Sequence, residues 1–199
     1  MSSHDFVPVP DSAVSAHTSG RAPTPVAEPR CGTPRIVVMG VSGAGKSTIG
    51  ALVADAMNFP FVDADSLHPL DNVRKMAAGV ALNDADRQPW LELVGHELAT
   101  TRAPGIVVAC SALKRRYRDI IRAQAPDTIF LHLEGTAEVL SKRLEGRSGH
   151  FMPVSLLTSQ IAALEQLTSD ERAVVVDISG GIGKIVTDAE AGIRRLLGC

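Results

Sequence analysis

The chain has 199 residues, of which 45% are hydrophobic and 21% charged, and its formal net charge is −2. That size supports one domain with its own core, and the near-neutral balance excludes a bulk nucleic-acid or membrane-surface binder, so basic clusters read as local sites. Cys31, Cys110 and Cys199 have no metal-ligand spacing and fit reduced thiols in a cytoplasmic protein, and no apolar run approaches the roughly 20 residues of a membrane-spanning helix.

Residues 1–33 differ from the rest. Half of the 12 prolines (Pro8, Pro10, Pro23, Pro25, Pro29 and Pro34) fall here or at its edge, with Ser, Ala and Thr between them and no sustained periodicity. This composition predicts a disordered tail. It lacks the basic start and apolar run of a secretory signal. Asp5, Asp11, Glu28 and the scarcity of Arg fit an organelle transit peptide poorly.

The folded domain is expected over 34–199. Ile36 to Met39 reads as a short buried strand, and Ile49, Leu52, Val53 and Met57 then recur at helical spacing. Between them, Gly40-Val41-Ser42-Gly43-Ala44-Gly45-Lys46-Ser47 fits the P-loop pattern G-x-x-x-x-G-K-[ST] at every fixed position, in the strand–loop–helix context the pattern needs. The glycines let several N–H groups turn toward one anion, and the following helix adds the positive end of its dipole. Gly40 to Thr48 is therefore the expected triphosphate cradle. Lys46 reaches the β- and γ-phosphates, the Ser47 hydroxyl ligates Mg²⁺, and ATP is the expected nucleotide.

Phe59 to Val62 predicts a second strand ending at Asp63-Ala64-Asp65. Asp71 to Ala78 predicts a short helix with Asp71 as N-cap, and Trp90 to Thr101 a longer one through Leu91, Val94 and Leu98. Ile106 to Ala109 is the third strand, Leu113 to Gln124 a strongly basic helix, and Ile129 to Leu133 the fourth strand. A helix over Ala137 to Leu144 leads into a glycine-containing loop, Glu145 to His150, expected to be mobile. Leu156 to Leu167 is helical, Ala173 to Ile178 is the fifth strand, and Ile185 to Leu197 closes the chain. This alternation predicts a three-layer α/β fold, a parallel sheet with helices on both faces. Ligands in such sheets bind beyond the carboxyl ends of the strands. The P-loop, Asp63 and Asp65, the Cys110-Ser111 turn and Gly135 all follow strands, so they are expected along one edge.

A P-loop does not say what receives the phosphate. The third strand ends in Cys110 rather than a carboxylate, which leaves Asp63 and Asp65 as the paired acids at a strand end. Alternate residues on an extended stretch point the same way, so both are expected to face the cleft. Asp63 is assigned to the metal's water shell and Asp65 to the acceptor hydroxyl as orienting base; the competing reading is a solvated turn. Arg143, Arg147 and His150 suit a lid that closes over the triphosphate. Arg147 is assigned to the transferring phosphoryl, and Arg143 either stacks on the base or is a helix-surface charge. The 65–90 segment holds His68, Arg74, Lys75 and Arg87, and Lys114 follows the third strand. Together these cations predict an anionic, hydroxyl-rich acceptor without identifying it. A lone His such as His68 is more often structural, and Trp90 reads as a core anchor.

Four blocks then carry a specific likeness: GVSGAGKS at 40–47, DADSLHPLDNVRKMAAGVALNDADRQPWL at 63–91, ACSALKRRYRDIIR at 109–122 and GHFMPVSLLTSQIAALE at 149–165. In this order they resemble the bacterial-type gluconokinases, over about residues 34–198. The first block is generic to P-loop proteins; the others are specific. The resemblance implies a P-loop kinase fold similar to those of shikimate kinase and the nucleoside-monophosphate kinases, with a five-stranded parallel sheet ordered 2-3-1-4-5 and a mobile lid. It implies ATP- and Mg²⁺-dependent phosphorylation of D-gluconate to 6-phospho-D-gluconate, feeding the pentose phosphate pathway, by a cytoplasmic homodimer. By likeness to shikimate kinase, the acidic pair and Arg87 fall where metal and acceptor are held. Asp65 then lies near the terminal hydroxyl, with His68, Lys75, Lys114 and His150 along the acceptor. Ala81 stands where the family usually has Pro, and Ile121 where it usually has Leu. The residues by themselves leave open a shikimate- or nucleotide-type kinase, and an ATP-binding regulatory module without turnover.

Overall fold

The computed structural model describes residues 33–145 and 154–198. The chain divides into two units, Met1–Arg30 and Cys31–Cys199. All described residues belong to the second unit, so the predicted tail lies outside them, as do Arg147 and His150.

Strands and helices alternate: β1 (Arg35–Met39), α1 (Lys46–Met57), β2 (Phe61–Asp63), a 3₁₀ turn (Ala64–Leu67), α2 (Leu70–Ala77), α3 (Asp84–Thr100), β3 (Ile106–Ala109), α4 (Arg115–Gln124), β4 (Ile129–Glu134), α5 (Ala137–Glu145), α6 (Val154–Ala163), β5 (Ala173–Asp177) and α7 (Ile182–Leu197). The five strands form one parallel sheet in the order β2-β3-β1-β4-β5, as expected. The period-2 pattern of β1 sorts its side chains between two cores. Ile36 and Val38 face Ile49 and Val53 of α1 and Ile185, Ala189 and Ile193 of α7. Val37 and Met39 face Trp90, Leu91, Val94 and Leu98 of α3 and Tyr117 and Ile121 of α4. Each large side chain buried this way contributes about 1.5–3 kcal/mol.

Of the boundaries that depart from expectation, three have a clear physical reason. Helix α3 begins at Asp84 rather than Trp90. The Asn83 side chain accepts from the Asp86 N–H at 2.9 Å, and the Asp86 carboxylate accepts from the Asn83 N–H at 3.1 Å. This reciprocal capping box starts the helix ahead of Pro89, which sits in its second turn. Asp71 is not the N-cap of α2; Pro69 holds that position, and Asp71 lies in the first turn, where its charge complements the dipole. Helix α6 stops at Ala163 rather than Leu167 because the chain then turns onto α4. There the Glu165 N–H donates to the Leu113 carbonyl at 2.9 Å, and the Glu165 carboxylate accepts from the Arg115 N–H at 2.6 Å.

That crossing is fastened by Arg118, which is fully buried. Its guanidinium makes two bonds to buried Glu171, at 2.6 and 3.0 Å, and its remaining N–H groups reach the carbonyls of Leu113, Glu165 and Gln166 at 3.1–3.2 Å. A planar five-donor fork suits this task. It holds the turn after β3, where buried Ala112 adopts a left-handed φ of 44°, a conformation that surrounding contacts must maintain.

Candidate active site

The P-loop leaves the carboxyl end of β1. Gly40 has φ 140° and lies so close to β4 that a Cβ would stand 2.9 Å from the Leu133 carbonyl oxygen. Gly45 is the left-handed N-cap of α1, with φ 92°; both positions demand glycine. The Gly40 N–H donates to the Ser111 carbonyl at 3.3 Å, which ties the P-loop to the turn after β3. The Lys46 ammonium folds back over the loop and donates to the Val41 carbonyl at 3.1 Å. Gly43, Gly45, Thr48, Ile49, Arg143 and Ile182 line a recess of about 330 Å³ on the α1 side of the loop. Arg143 is fixed there by donating to the carbonyls of Ala44 at 3.3 Å and Ile178 at 2.6 Å. It is therefore a held plane beside the loop rather than a loose surface charge, an arrangement that suits stacking on a base.

Asp63 and Asp65 divide in the structure. Strand β2 ends at Asp63, and Asp65 lies on the 3₁₀ turn, so the extended geometry expected to aim both acids together stops at the first of them. The Ser47 hydroxyl donates to Asp63 Oδ2 at 2.6 Å, while Asp63 Oδ1 accepts from the Asp65 N–H at 3.1 Å. A hydroxyl and a carboxylate at the P-loop helix start are hard oxygen donors of the kind Mg²⁺ takes when phosphates supply the rest of its shell. The donor set thus fits the ion. The Asp65 side chain is 89% exposed and points one oxygen to within 4.0 Å of His68 Nε2.

His68 is placed by packing. Its ring stacks on Trp90 with centroids 4.2 Å apart, and the Trp90 N–H donates to the Ala64 carbonyl at 2.7 Å. Trp90 is a core anchor, as expected, and also the platform for His68. Burial lowers the His68 pKa, opposed by Asp65 and assisted by Arg87, which favours the neutral ring.

The second recess lies between the turn after β3, the start of α3 and the end of α6, with a volume of about 470 Å³. Asp84, Arg87, Ser111, Lys114, Tyr117 and Gln160 are among its lining residues. Asp84 organises one wall. It accepts from Lys114 at 3.0 Å, from Arg116 at 2.6 Å and from the Tyr117 hydroxyl. The Tyr117 and Lys114 hydrogen bonds hold its carboxyl below the usual range. Arg87 stands differently: half-buried, 5.9 Å above the Tyr117 ring, and without a carboxylate at ion-pair distance among the described residues. Lys75 does not line this recess. Neither do Asp65 and His68; Lys75 pairs with Asp86 at 2.5 Å and braces α2 against α3. Arg74 likewise pairs with Asp71 on the surface of α2. Burial pushes the Cys110 thiol up to about 12, which makes it a core residue and not a nucleophile.

Asp84, Gln160 and Tyr117, the last bonded to Asp84 and beneath Arg87, escaped sequence reasoning. Asp84 carries a local signal, an acid just after the Asn83 cap, but its partners lie thirty residues away. Gln160 accepts from the Ser42 N–H at 2.7 Å and is joined to the P-loop across 118 positions, which no local pattern reveals.

Comparison with known proteins follows the same lines. A model of the shikimate kinase family matches residues 42–179. The chain is 42% identical over 177 residues to a probable gluconokinase of Xenopus tropicalis, covering 80% of this chain and 93% of that one. It is 42% identical over 164 residues to the thermosensitive gluconokinase of Escherichia coli, covering 80% and 87%. Among solved structures, a gluconokinase from Sinorhizobium meliloti superposes with a TM-score of 0.77 at 47% identity, over 84% of this chain and 95% of that one. A shikimate kinase from Bacteroides thetaiotaomicron, 18% identical, matches in fold with a TM-score of 0.58 over 83% and 99%. The chain belongs to the gluconokinase family, on the fold it shares with shikimate kinase.

Proposed function

We propose that this protein transfers the γ-phosphoryl group of ATP to the terminal hydroxyl of D-gluconate, giving ADP and 6-phospho-D-gluconate. The observation that carries the reading is Arg87, a half-buried guanidinium with no internal acid among the described residues, on a recess that Gln160 links to the P-loop through the Ser42 N–H. An aldonate brings one carboxylate and a row of hydroxyls. Arg87 suits the carboxylate through paired N–H groups, and Ser111, Lys114 and Gln160 offer polar contacts for the rest.

In this reading the P-loop residues Gly40 to Thr48, with Lys46, hold the triphosphate, and Arg143 flanks the base. Asp65 orients the acceptor hydroxyl and receives its proton as the oxygen bonds to phosphorus and the bond to ADP breaks. Its exposure and its neighbour His68 support that assignment, since a neutral imidazole can hydrogen-bond without repelling Arg87. Ser47 and Asp63 would hold Mg²⁺, which when bound neutralises charge between the β- and γ-phosphates. Arg147 and His150 are assigned from the sequence to the closing segment. A cytoplasmic homodimer that feeds gluconate into the pentose phosphate pathway is the setting we infer from the family resemblance.

A coupled ADP-release assay tests the reading across gluconate, other aldonates, shikimate and nucleoside monophosphates. Gluconate is expected to give the highest kcat/KM. A preference for shikimate or a nucleotide, or ADP release indifferent to acceptor, contradicts it.

A further inference from the structure

One contact joins the donor and acceptor halves of the site. Gln160 Oε1 accepts from the Ser42 N–H in the P-loop at 2.7 Å. A backbone N–H only donates, so the carbonyl end of the Gln160 amide must face the loop, and its NH₂ end faces away from it. Gln160 also lines the acceptor recess, together with Arg87 and Ser111. Among the described residues its NH₂ group has no protein acceptor. The residue is not on a free arm. Helix α6 is anchored by Leu157, buried in the α1–α7 core, and by the Glu165 bond to Leu113.

We propose that Gln160 is an acceptor-positioning residue: Ser42 fixes its carbonyl end, and its NH₂ donates to an oxygen of the bound sugar acid. The acceptor is thereby registered against the loop that holds the triphosphate. This deepens the gluconokinase reading and rests on it. Phosphoryl transfer requires the attacking oxygen in line at about 3–3.5 Å from phosphorus, and a lone cation such as Arg87 holds one end of a flexible chain without fixing the other. An amide spanning both subsites supplies that second point. Its neutral NH₂ also fits a hydroxyl without the desolvation cost of another charge.

Two variants of the full chain separate the ends of the amide. Gln160→Met keeps length and volume and removes both functions. Gln160→Glu keeps an oxygen for the Ser42 N–H and removes the donor. Both are expected to lower kcat/KM for gluconate by about tenfold or more, the scale of one net hydrogen bond plus lost alignment. In Gln160→Met, affinity for a non-hydrolysable ATP analogue should stay within about threefold of wild type, since a single neutral contact at the loop's shoulder is lost. Wild-type kcat/KM for gluconate in both variants overturns the proposal, as does a Gln160→Met loss that lies entirely in nucleotide affinity. If the wild-type protein releases no ADP with gluconate, the gluconate reading fails separately. The bridge is then judged by hydrogen exchange at the Ser42 amide. Slow exchange in wild type and Gln160→Glu with fast exchange in Gln160→Met supports it, and equal exchange in all three overturns it.

Discussion

Helix α4 and the start of α3 both carry cations near the cleft, and the fold uses them in opposite ways. On α4, Arg115 meets Asp119 and Asp170, Arg122 meets the same two acids, and Arg118 is sealed onto Glu171. On α3, Arg87 has the Tyr117 ring beneath it and, among the described residues, no acid partner. Lys114 lies between these cases. It lines the proposed acceptor recess, yet it shares Asp84 with Arg116 and Tyr117. The lesson is that charge alone does not mark a binding group. A cation with an internal acid fixes the fold; a cation left without one, on a concave surface, is available to an anion.

The comparison is tested most severely at Arg118. Arg118→Met should destabilise the protein by about 3–5 kcal/mol, because it leaves the Glu171 carboxylate buried without its partner. Adding Glu171→Leu should recover much of that loss. Chemical denaturation of both variants checks this, and a single variant as stable as wild type breaks the contrast. The donor side gives the next largest effect. Lys46→Ala should reduce kcat by about 10²–10³, roughly 3–4 kcal/mol of lost stabilisation of transferring charge, with an unchanged melting temperature. Arg87→Met should mirror Arg118→Met. Steady-state kinetics should show a gluconate KM raised about tenfold to a hundredfold, the range of a charge-assisted contact, while stability changes by no more than about 1 kcal/mol.

The sheet and the nucleotide loop were legible in the sequence because their signals are local. Ile36 to Met39 is a continuous apolar run, and the P-loop pattern lies within a dozen residues of its strand. The α3 capping box was equally local, at Asn83 and Asp86, although the helix was expected to begin only at Trp90. The acceptor wall was not legible for a different reason. The Arg118–Glu171 pair spans 53 positions and the Asp84 cluster 30 to 33. Before folding, Arg87, Lys75 and the α4 arginines look alike, and their internal partners are what tell them apart. His68 shows the same limit: its ring position depends on Trp90, and no local pattern pairs the two.

The smallest predicted effect is a pH dependence. His68 has a lowered pKa because burial disfavours its charged form. The unfolded chain therefore binds the proton more readily, and the stability tied to neutral His68 is present above about pH 6.5 and is lost as pH falls below it. His68→Phe keeps a ring on Trp90 without a titrating group. Its melting temperature should fall less than that of wild type between about pH 7 and pH 5.5. Parallel curves for the two proteins would remove His68 from the account.

The central claim is that a sugar acid held by Arg87 presents its terminal hydroxyl to the P-loop. Phosphorus NMR of wild-type protein with ATP, Mg²⁺ and D-gluconate tests it most directly. The account predicts ADP and one new phosphomonoester whose phosphorus couples to the two protons of a methylene group, formed far more slowly by Arg87→Met at the same gluconate concentration. An ester coupled to a single proton, or ADP formed with inorganic phosphate and no ester, would contradict it.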